Sequence, residues 1–343
     1  MAHRVFHACA EIVQVEVAPN RKLVIASFLA VYLIWGSTYL GIRFAIETIP
    51  PFTLAAARFG LAGLIMLVAA FVIGAPKPTV PQIRTAAIVG CLLMLANSLV
   101  GVAEKRIPSG VAALIVGLTP VFMVLLEWAR PGGRRPTVIV ATGLAIGLVG
   151  VVTLVGPGSF GAGQQIDLVG AGIVAVGSLC WSSGAIYSRH APKPTSGVMN
   201  SAVQMLIGGV FVGILAVWRG ELTTFTISQV SARSAYAWLY LLIFGSFMGF
   251  SAFVYLLRVS TPARVATYAY VNPVVAVILG WLIGHETISA RMLVAAAIIV
   301  GGVAIITAGE GRGPGVTRTF PVAKPRDADM DPRVRGARVS DRA

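Results

Sequence analysis

Residues Thr267–Gly280, TYAYVNPVVAVILG, form an apolar run that carries hydrogen-bonding side chains in its first half and a proline at its centre. The polar members are Tyr268, Tyr270 and Asn272, and Pro273 follows directly. A proline inside a helix removes one backbone hydrogen bond and kinks the helix. A freed carbonyl is costly in lipid, so it must face protein or a wet cavity. The stretch therefore predicts a kinked helix at a substrate-binding cavity. In the alternative interpretation the tyrosines pack, and Asn272 caps the backbone or bonds to a neighbouring helix.

The composition places this helix in a membrane. Of 343 residues, 57% are hydrophobic and 12% are charged, and the mean hydropathy is +0.84; a soluble domain carries about 25% charged residues. A helix needs about 20 mostly apolar residues to cross a bilayer, whereas a membrane barrel would show short alternating strands. The sequence predicts an all-α membrane protein with ten transmembrane helices, near residues 23–42, 52–73, 84–103, 108–128, 137–155, 168–188, 198–218, 236–257, 262–283 and 291–308.

The distribution of Lys and Arg predicts the orientation, because these residues accumulate in cytoplasmic loops. With a cytoplasmic N-terminus, the inner loops and tails hold most of the basic residues, including eight after Gly311. The outer loops hold fewer: Arg43, Lys105, Arg106, Arg219, Arg233 and Arg291. Both termini are therefore predicted to be cytoplasmic, in a multi-pass protein of the cell membrane. The same bias accounts for the net charge of +14, so no nucleic-acid partner is expected.

The ends of the chain differ from the apolar body. Residues 1–22 lack an apolar core followed by a small-residue cleavage site, so they predict a cytoplasmic extension rather than a signal peptide. Residues 310–343 are rich in Arg, Asp, Pro and Gly, which predicts a disordered cytoplasmic tail. Residues 156–166 form an outer linker between the two halves of the apolar body.

Two internal echoes indicate a repeat. The motif WGSTYLGIR at 35–43 returns as WSSGAIYSR 146 residues later. The segment SGVAALIVGLTPVF at 109–122 aligns with PARVATYAYVNPVV 153 residues later, which pairs Pro120 with Pro273. Each of the two prolines predicts a kink near the middle of its helix. Each unit, 23–155 and 167–309, then holds five helices, and an odd number makes the second unit enter the membrane from the opposite side. Two inverted five-helix repeats are an architecture of transporters, with the substrate site near the midplane and on interrupted helices.

Three segments resemble the EamA family of the drug/metabolite transporter superfamily: YLIWGSTYLGIRFAIETIPPFTLAAARF at 32–59, EKRIPSGVAALIVGLTPVF at 104–122 and TPARVATYAYVNPVVAVILGWLIGHETIS at 261–289. The resemblance covers about residues 23–309. It implies ten helices in two inverted EamA repeats, cytoplasmic termini and export of amino acids, metabolites or drugs. The departures from the family pattern are the N-terminal extension, the Arg-rich tail and Arg264, where a small or apolar residue is commoner.

Polar and aromatic residues inside the predicted helices are candidates for substrate binding. Arg58 lies two turns inside the second helix, where it either binds an anionic substrate group or snorkels to the outer headgroups. Aromatic rings with a few hydroxyls and amides suit a roomy pocket, although the interfacial aromatic belt is the alternative for the tryptophans. The further candidates are Trp35, Ser37, Tyr39, Asn97, Trp181 and Ser183.

Glu104 is the predicted proton-coupling residue, because a carboxylate within a membrane often relays protons. Its neighbours Lys105 and Arg106 favour the alternative of a solvated ion-pair loop at the interface. His285 and Glu286 predict a helix-end cap rather than a metal site. The run GLAIGLVG at 143–150 predicts a helix-packing seam rather than a phosphate cradle.

The resulting functional hypothesis is a secondary transporter, an exporter of amino-acid-like solutes or drugs by alternating access; the alternative is a flippase of a lipid or polyprenyl-linked carrier. An enzyme is disfavoured, because the 13 acidic residues form no paired motif within the membrane. The sequence contains no GxxxxGK[ST] motif, so an ATP-driven motor is not indicated. We expect no cofactor or metal, membrane lipids and one small molecule as partners, and a monomer or homodimer.

Overall fold

The computed structural model describes residues 21–133, 135–155, 166–260, 265 and 267–310. Within these ranges the chain is helical and contains no strand. Seven helices are long and apolar enough to cross a membrane, and three apolar helices are shorter, Val138–Leu154, Val271–Leu282 and Ala290–Ile306. The all-helical membrane fold is thereby confirmed. The count of ten crossings stays a prediction, since it needs the three shorter helices to cross as well.

We label the apolar helices in chain order, and each overlaps one of the ten predicted runs. The labels are α1 (Arg21–Ala45), α2 (Pro51–Val72), α3 (Val80–Glu104), α4 (Ser109–Val116 and Thr119–Ala129), α5 (Val138–Val155), α6 (Leu168–His190), α7 (Gly197–Trp218), α8 (Ala232–Tyr240, Leu241–Met248 and Gly249–Val259), α9 (Tyr268–Leu282) and α10 (Ala290–Glu310). Nearly all of the predicted N-terminal extension, outer linker and C-terminal tail lies outside the described residues.

Helices α4 and α9 contact each other where their prolines lie. Helix α4 breaks at Gly117–Leu118, and Pro120 stands in the first turn of its second segment. Helix α9 continues through Pro273. The ring of Pro273 packs against Gly117, where a Cβ atom would lie 3.2 Å from the proline Cγ. The interruption that Pro120 predicted in α4 is therefore located two to three residues before it, in the preceding turn.

The main helix pairs keep their pattern when the two halves of the chain are exchanged. If each helix of α1–α5 is matched with the helix five places later, the pairs α2–α7, α4–α9 and α5–α10 map onto themselves. The pair α3–α6 maps onto α8–α1, the pair α4–α6 onto α9–α1, and the pair α3–α7 onto α8–α2, and all six are in contact. This is the packing expected of two similar halves related by a two-fold axis.

Glycines set the closest helix crossings. In the α5–α10 pair, a Cβ atom on Gly143 would lie 2.8 Å from the carbonyl oxygen of Gly302, and one on Gly302 would lie 2.7 Å from the amide nitrogen of Gly147. Such distances exclude any larger residue without movement of a backbone. The run at 143–150 is thus a packing seam, as the sequence predicted.

Candidate functional site

Arg58 is a buried guanidinium in the interior of the bundle. It follows the start of α2 at Pro51 by two turns, and only 6% of the residue is exposed. Its Nε donates a hydrogen bond to the hydroxyl of Ser246 at 2.9 Å, and its Cζ lies 4.6 Å from the ring centre of Phe59. A snorkelling side chain would reach the surface. That alternative for Arg58 was wrong, because the neighbouring helix α8 holds the guanidinium inside.

The partner of Arg58 lies on a π-helical segment of α8, Leu241–Met248. The hydroxyl of Ser246 donates to the carbonyl of Leu241 at 3.3 Å, which leaves its oxygen free to accept from Arg58. Beside it, a Cβ atom on Gly245 would lie 2.7 Å from Nη2 of Arg58, so the glycine makes room for the guanidinium. Such π-helical segments occur frequently at functional sites.

Arg58 lines a narrow, partly open cleft between α1, α2 and α3, which has room for about one water molecule in this conformation. Asn97 and Gly101 line the opposite wall, and the remaining lining is apolar apart from the arginine. Asn97, Gly101 and Glu104 are spaced by four and three residues, so they share one face of α3. The structure thus brings together two of the predicted substrate-binding residues, Arg58 and Asn97.

Glu104 ends α3 and is completely buried. Neither of its carboxylate oxygens has a hydrogen-bond partner among the described residues, although the guanidinium of Arg43 donates to its backbone carbonyl. Lys105 and Arg106 are exposed, and Arg106 pairs with Asp167 at 3.0 Å. The interpretation of Glu104 as part of a solvated ion-pair loop was therefore wrong, because the helix end turns its carboxylate inward while the two basic residues turn outward.

Glu286 caps the start of α4 from the loop between α9 and α10. Its carboxylate accepts from the backbone N–H groups of Ser109 at 2.7 Å and Gly110 at 3.1 Å. A carboxylate at a helix N-terminus satisfies free donors and complements the helix dipole. The predicted helix-end cap is confirmed for Glu286. No cluster of three potential metal ligands occurs among the residues that the structure describes.

A second group of predicted residues surrounds the inner face of α1. Trp35, Phe253 and Tyr268 form an aromatic cluster with ring centres 5.1–5.9 Å apart. The indole of Trp35 donates to the carbonyl of Gly245 at 3.4 Å. The aromatic cluster therefore contacts the backbone of the π-helical segment that holds Arg58. The three rings fill the space between them, so in this conformation the cluster is packed rather than open.

The other predicted residues of α1 also contact the second half of the chain. The hydroxyl of Ser37 lies 2.5 Å from the hydroxyl of Tyr240 on α8. Tyr39 is half-buried and packs against the apolar clusters on both sides of α1. The hydroxyl of Tyr32 lies 2.5 Å from that of Thr267, just before α9.

Asn272 is buried at 7% exposure. In the orientation that satisfies its hydrogen bonds, the side-chain nitrogen of Asn272 donates to the carbonyls of Tyr32 at 3.2 Å and Tyr268 at 3.3 Å. These contacts join α9 to α1, as in the bonding alternative, and leave the amide oxygen for another partner. The side chain of Tyr270 lies outside the described residues.

The predicted residues on α6, which are the repeat equivalents of Trp35 and Ser37, lie neither at the cleft beside Arg58 nor at the aromatic cluster. Trp181 and Ser183 are half-buried, and the hydroxyl of Ser183 donates to the carbonyl of Leu179 within its own helix. The neighbouring residue, Ser182, is fully buried and donates to the carbonyl of Thr119 at the break in α4, at 3.2 Å. Sequence reasoning missed Ser182, Gly245 and Ser246. The adjacent glycine and serine in an apolar run were the only signal for the last two.

Apolar helices packed as two matching halves around buried polar groups define a membrane transport protein, and comparison with known proteins supports this class. The model of the EamA-like transporter family matches residues 22–156 and 168–308. This chain belongs to the EamA-like transporter family.

Curated relatives agree with the family, and one solved structure shares the fold. The "Uncharacterized inner membrane transporter YedA" of Escherichia coli (strain K12) is 35% identical over 283 residues, which cover 82% of this chain and 89% of that protein. The "Probable amino-acid metabolite efflux pump" of Salmonella typhimurium is 24% identical, covering 81% of this chain and 92% of that protein. One crystal structure at 22% identity superposes with a TM-score of 0.57, covering 84% of this chain and 98% of that chain, which shows the fold alone.

Proposed function

We propose that the protein is a secondary transporter that exports small metabolites, amino-acid-like solutes or drugs, by alternating access. The observation that carries this proposal is the exchange pattern of the helix pairs, since two equivalent packings of matching halves can interconvert with little change in energy. The relative named as an efflux pump supports the direction of transport. The relative named as an inner membrane transporter supports a location in the plasma membrane.

The architecture that goes with this function is ten crossings in two inverted five-helix repeats. The repeats are 23–155 and 167–309, joined by the outer linker 156–166 and flanked by the cytoplasmic segments 1–22 and 310–343. The solute passes between the two halves of the bundle. Its contacts are Arg58 and Asn97 at the cleft, and further along the pathway Trp35, Ser37, Tyr39, Trp181, Ser183, Tyr268, Tyr270 and Asn272.

Glu104 is the proton carrier if export is coupled to protons. Its carboxylate is buried without a hydrogen-bond partner in the described part of the chain, and it lies on the helix face that reaches the cleft through Gly101. Glu104→Gln should then abolish transport driven by a pH gradient while exchange continues. The matched control is Glu47→Gln, which removes an exposed carboxylate that pairs with Arg233 and should leave both activities unchanged. Gradient-driven transport that survives Glu104→Gln would contradict the assignment.

The experiment that tests the transport function begins with the purified protein and a set of metabolites and drugs. A ligand at about 100 times its Kd should stabilise the folded protein by about 2.7 kcal/mol, so thermal unfolding identifies compounds that bind. Proteoliposomes loaded with each such compound should then release it chemically unchanged and with saturable kinetics. A transformed product would indicate an enzyme, ohmic conductance a channel, and translocation of fluorescent lipid alone a flippase.

A further inference from the structure

Among the residues that the structure describes, Arg58 has no carboxylate partner of the kind that normally accompanies a buried cation. The side-chain ion pairs among the described residues are Arg106–Asp167, Arg130–Glu127, His190–Glu127 and Arg233–Glu47. Arg58 is in none of them, and its observed partners are the neutral Ser246 and the ring of Phe59. A buried charge without a counter-ion is costly. The guanidinium is therefore a group whose burial a bound anion would stabilise.

The surroundings hold this cation in place without neutralising it. Only Nε is engaged by Ser246, at 2.9 Å, so the donors on the two terminal nitrogens are left for another partner. Gly245 lies close to Nη2 and leaves space that a side chain would fill. Both residues belong to the π-helical segment 241–248, which is an independent sign of a functional site.

The lining of the cleft beside Arg58 limits the chemistry of the anion. In this conformation the cleft has a volume of about 10 Å³, room for about one water molecule, so a solute enters only when the helices move apart. Its other lining is mostly apolar, with Ile42, Leu54 and Phe59 among the contacts, and the amide of Asn97 is a second polar group. A single guanidinium balances one negative charge, and its planar fork matches a carboxylate in two parallel hydrogen bonds. A phosphate dianion would leave one charge unbalanced in an apolar cleft.

We propose that Arg58 binds the carboxylate of the transported solute, and that the substrates are monocarboxylates with an apolar body. This inference rests on the proposed transport function. The carboxylate lies against the terminal nitrogens of Arg58, and the apolar walls contact the carbon skeleton. Where a solute carries a second polar group, as L-leucine does, Asn97 bonds that group.

Matched acids and amides test the inference directly. The purified protein is titrated with phenylacetate, 4-methylvalerate and L-leucine, and with phenylacetamide, 4-methylvaleramide and L-leucinamide, while thermal unfolding is recorded. Each pair has the same skeleton and differs in the carboxylate. At least one acid should bind about tenfold or more tightly than its amide, because the amide cannot form charge-assisted bonds to the guanidinium. Equal binding of the members of every pair, or binding of none of the acids, would overturn the inference.

Variants identify Arg58 as the cause of the preference. Arg58→Gln should remove the preference for acids, and Arg58→Lys should keep part of it because the charge remains. Gly245→Ala, which pushes on Nη2 without removing the charge, should weaken acid binding and spare amide binding. Arg233→Gln is the matched control, since Arg233 also lies over a phenylalanine, Phe44 at 3.8 Å, but is exposed and outside the cleft. A folded Arg58→Gln protein that still prefers acids would contradict the assignment.

The test separates this inference from the transport function on which it rests. Proteoliposomes that exchange isoamylamine or the amides, but no acid, would overturn the carboxylate assignment and leave transport intact. Proteoliposomes that exchange no solute of any charge would overturn both.

Discussion

Asn97 and Asn272 are two interior asparagines with different surroundings. Asn272 donates to the carbonyls of Tyr32 and Tyr268, whereas Asn97 lines the cleft and has no hydrogen bond to any residue that the structure describes. Asn272→Ala should therefore lower the free energy of unfolding by about 0.5–1.5 kcal/mol. Asn97→Ala should leave stability unchanged and weaken solute binding. Chemical denaturation in detergent, with binding measured on the same samples, checks both. Equal destabilisation by the two changes would contradict the account.

The helix cap Asp167 predicts how the stability of the fold depends on pH. It caps α6, and the hydrogen bond from Arg106, with those from the N–H groups of Gly170 and Val169, lowers the pKa of its carboxyl below the usual value. A carboxyl whose pKa is lower in the folded than in the unfolded state stabilises the fold above the unfolded pKa. That contribution is lost as the pH falls from about 3.8 through the lowered value.

Asp167→Asn should accordingly lower the Tm at pH 7, and the difference from the parent protein should shrink below about pH 3.8. Ser196→Ala provides the control, because Ser196 caps α7 through a neutral hydroxyl that accepts from Met199. Its effect on Tm should be the same at both pH values. A constant deficit for Asp167→Asn across this pH range would show that its charge does not stabilise the fold.

The sequence identified the important charged residues but not their partners. Arg58 and Glu104 were singled out because charges are rare in apolar runs. Whether Arg58 would snorkel depended on Ser246, which lies 188 residues away in sequence, and no local pattern reports such a contact. Glu104 was misjudged for the same reason, since the side chains of Lys105 and Arg106 leave in the opposite direction.

At the scale of the elements, run length predicted the helices well because each apolar segment must satisfy its backbone within itself. The π-helical segment of α8 was not predicted, because residues 241–248 have the same apolar composition as a regular transmembrane α-helix. The break in α4 lies at Gly117–Leu118, in the turn before Pro120. A proline removes the hydrogen bond to the carbonyl four residues earlier and its ring crowds that carbonyl, so the helix breaks in the turn before the proline.

Two adjacent glycines of α10 test the helix-packing seam. A Cβ atom on Gly302 would lie 2.7 Å from the amide nitrogen of Gly147, whereas one on Gly301 would meet no atom within 4 Å among the described residues. Gly302→Ala should destabilise the protein by about 1–3 kcal/mol, as overpacking does. Gly301→Ala should be neutral or stabilising by up to about 1 kcal/mol, since alanine is the better helix former. Thermal or chemical unfolding of the two variants makes the comparison, and equal effects would contradict the close α5–α10 crossing.

At the scale of the whole molecule, the internal echoes predicted the two halves, and the exchange pattern of helix pairs agrees with them. The repeat did not predict the side-chain positions of Trp181 and Ser183. They occupy the repeat positions of Trp35 and Ser37, but their side chains are not brought to the aromatic cluster or the cleft. A repeat preserves the path of the backbone more strictly than the side-chain contacts, because the two halves have diverged in sequence.

The predicted orientation is tested by single cysteines in a protein whose own cysteines are replaced. Thr137→Cys lies in the loop between α4 and α5, and Ser228→Cys in the loop between α7 and α8, and both positions are exposed. The positive-inside rule predicts that an impermeant maleimide labels position 228 from outside the cell and position 137 only after the membrane is opened. The reverse result would invert the orientation, and labelling of both from one side would overturn the number of crossings between them.

Counterflow shows whether the two halves of the bundle alternate access to one solute site. Proteoliposomes are loaded with an excess of an unlabelled solute that binds the protein, and a trace of the labelled solute is added outside. Alternating access predicts that the label accumulates transiently above its outside concentration, and that Arg58→Gln reduces this overshoot while Arg233→Gln preserves it. Entry of label that only approaches equilibrium and is independent of the internal solute would contradict the account.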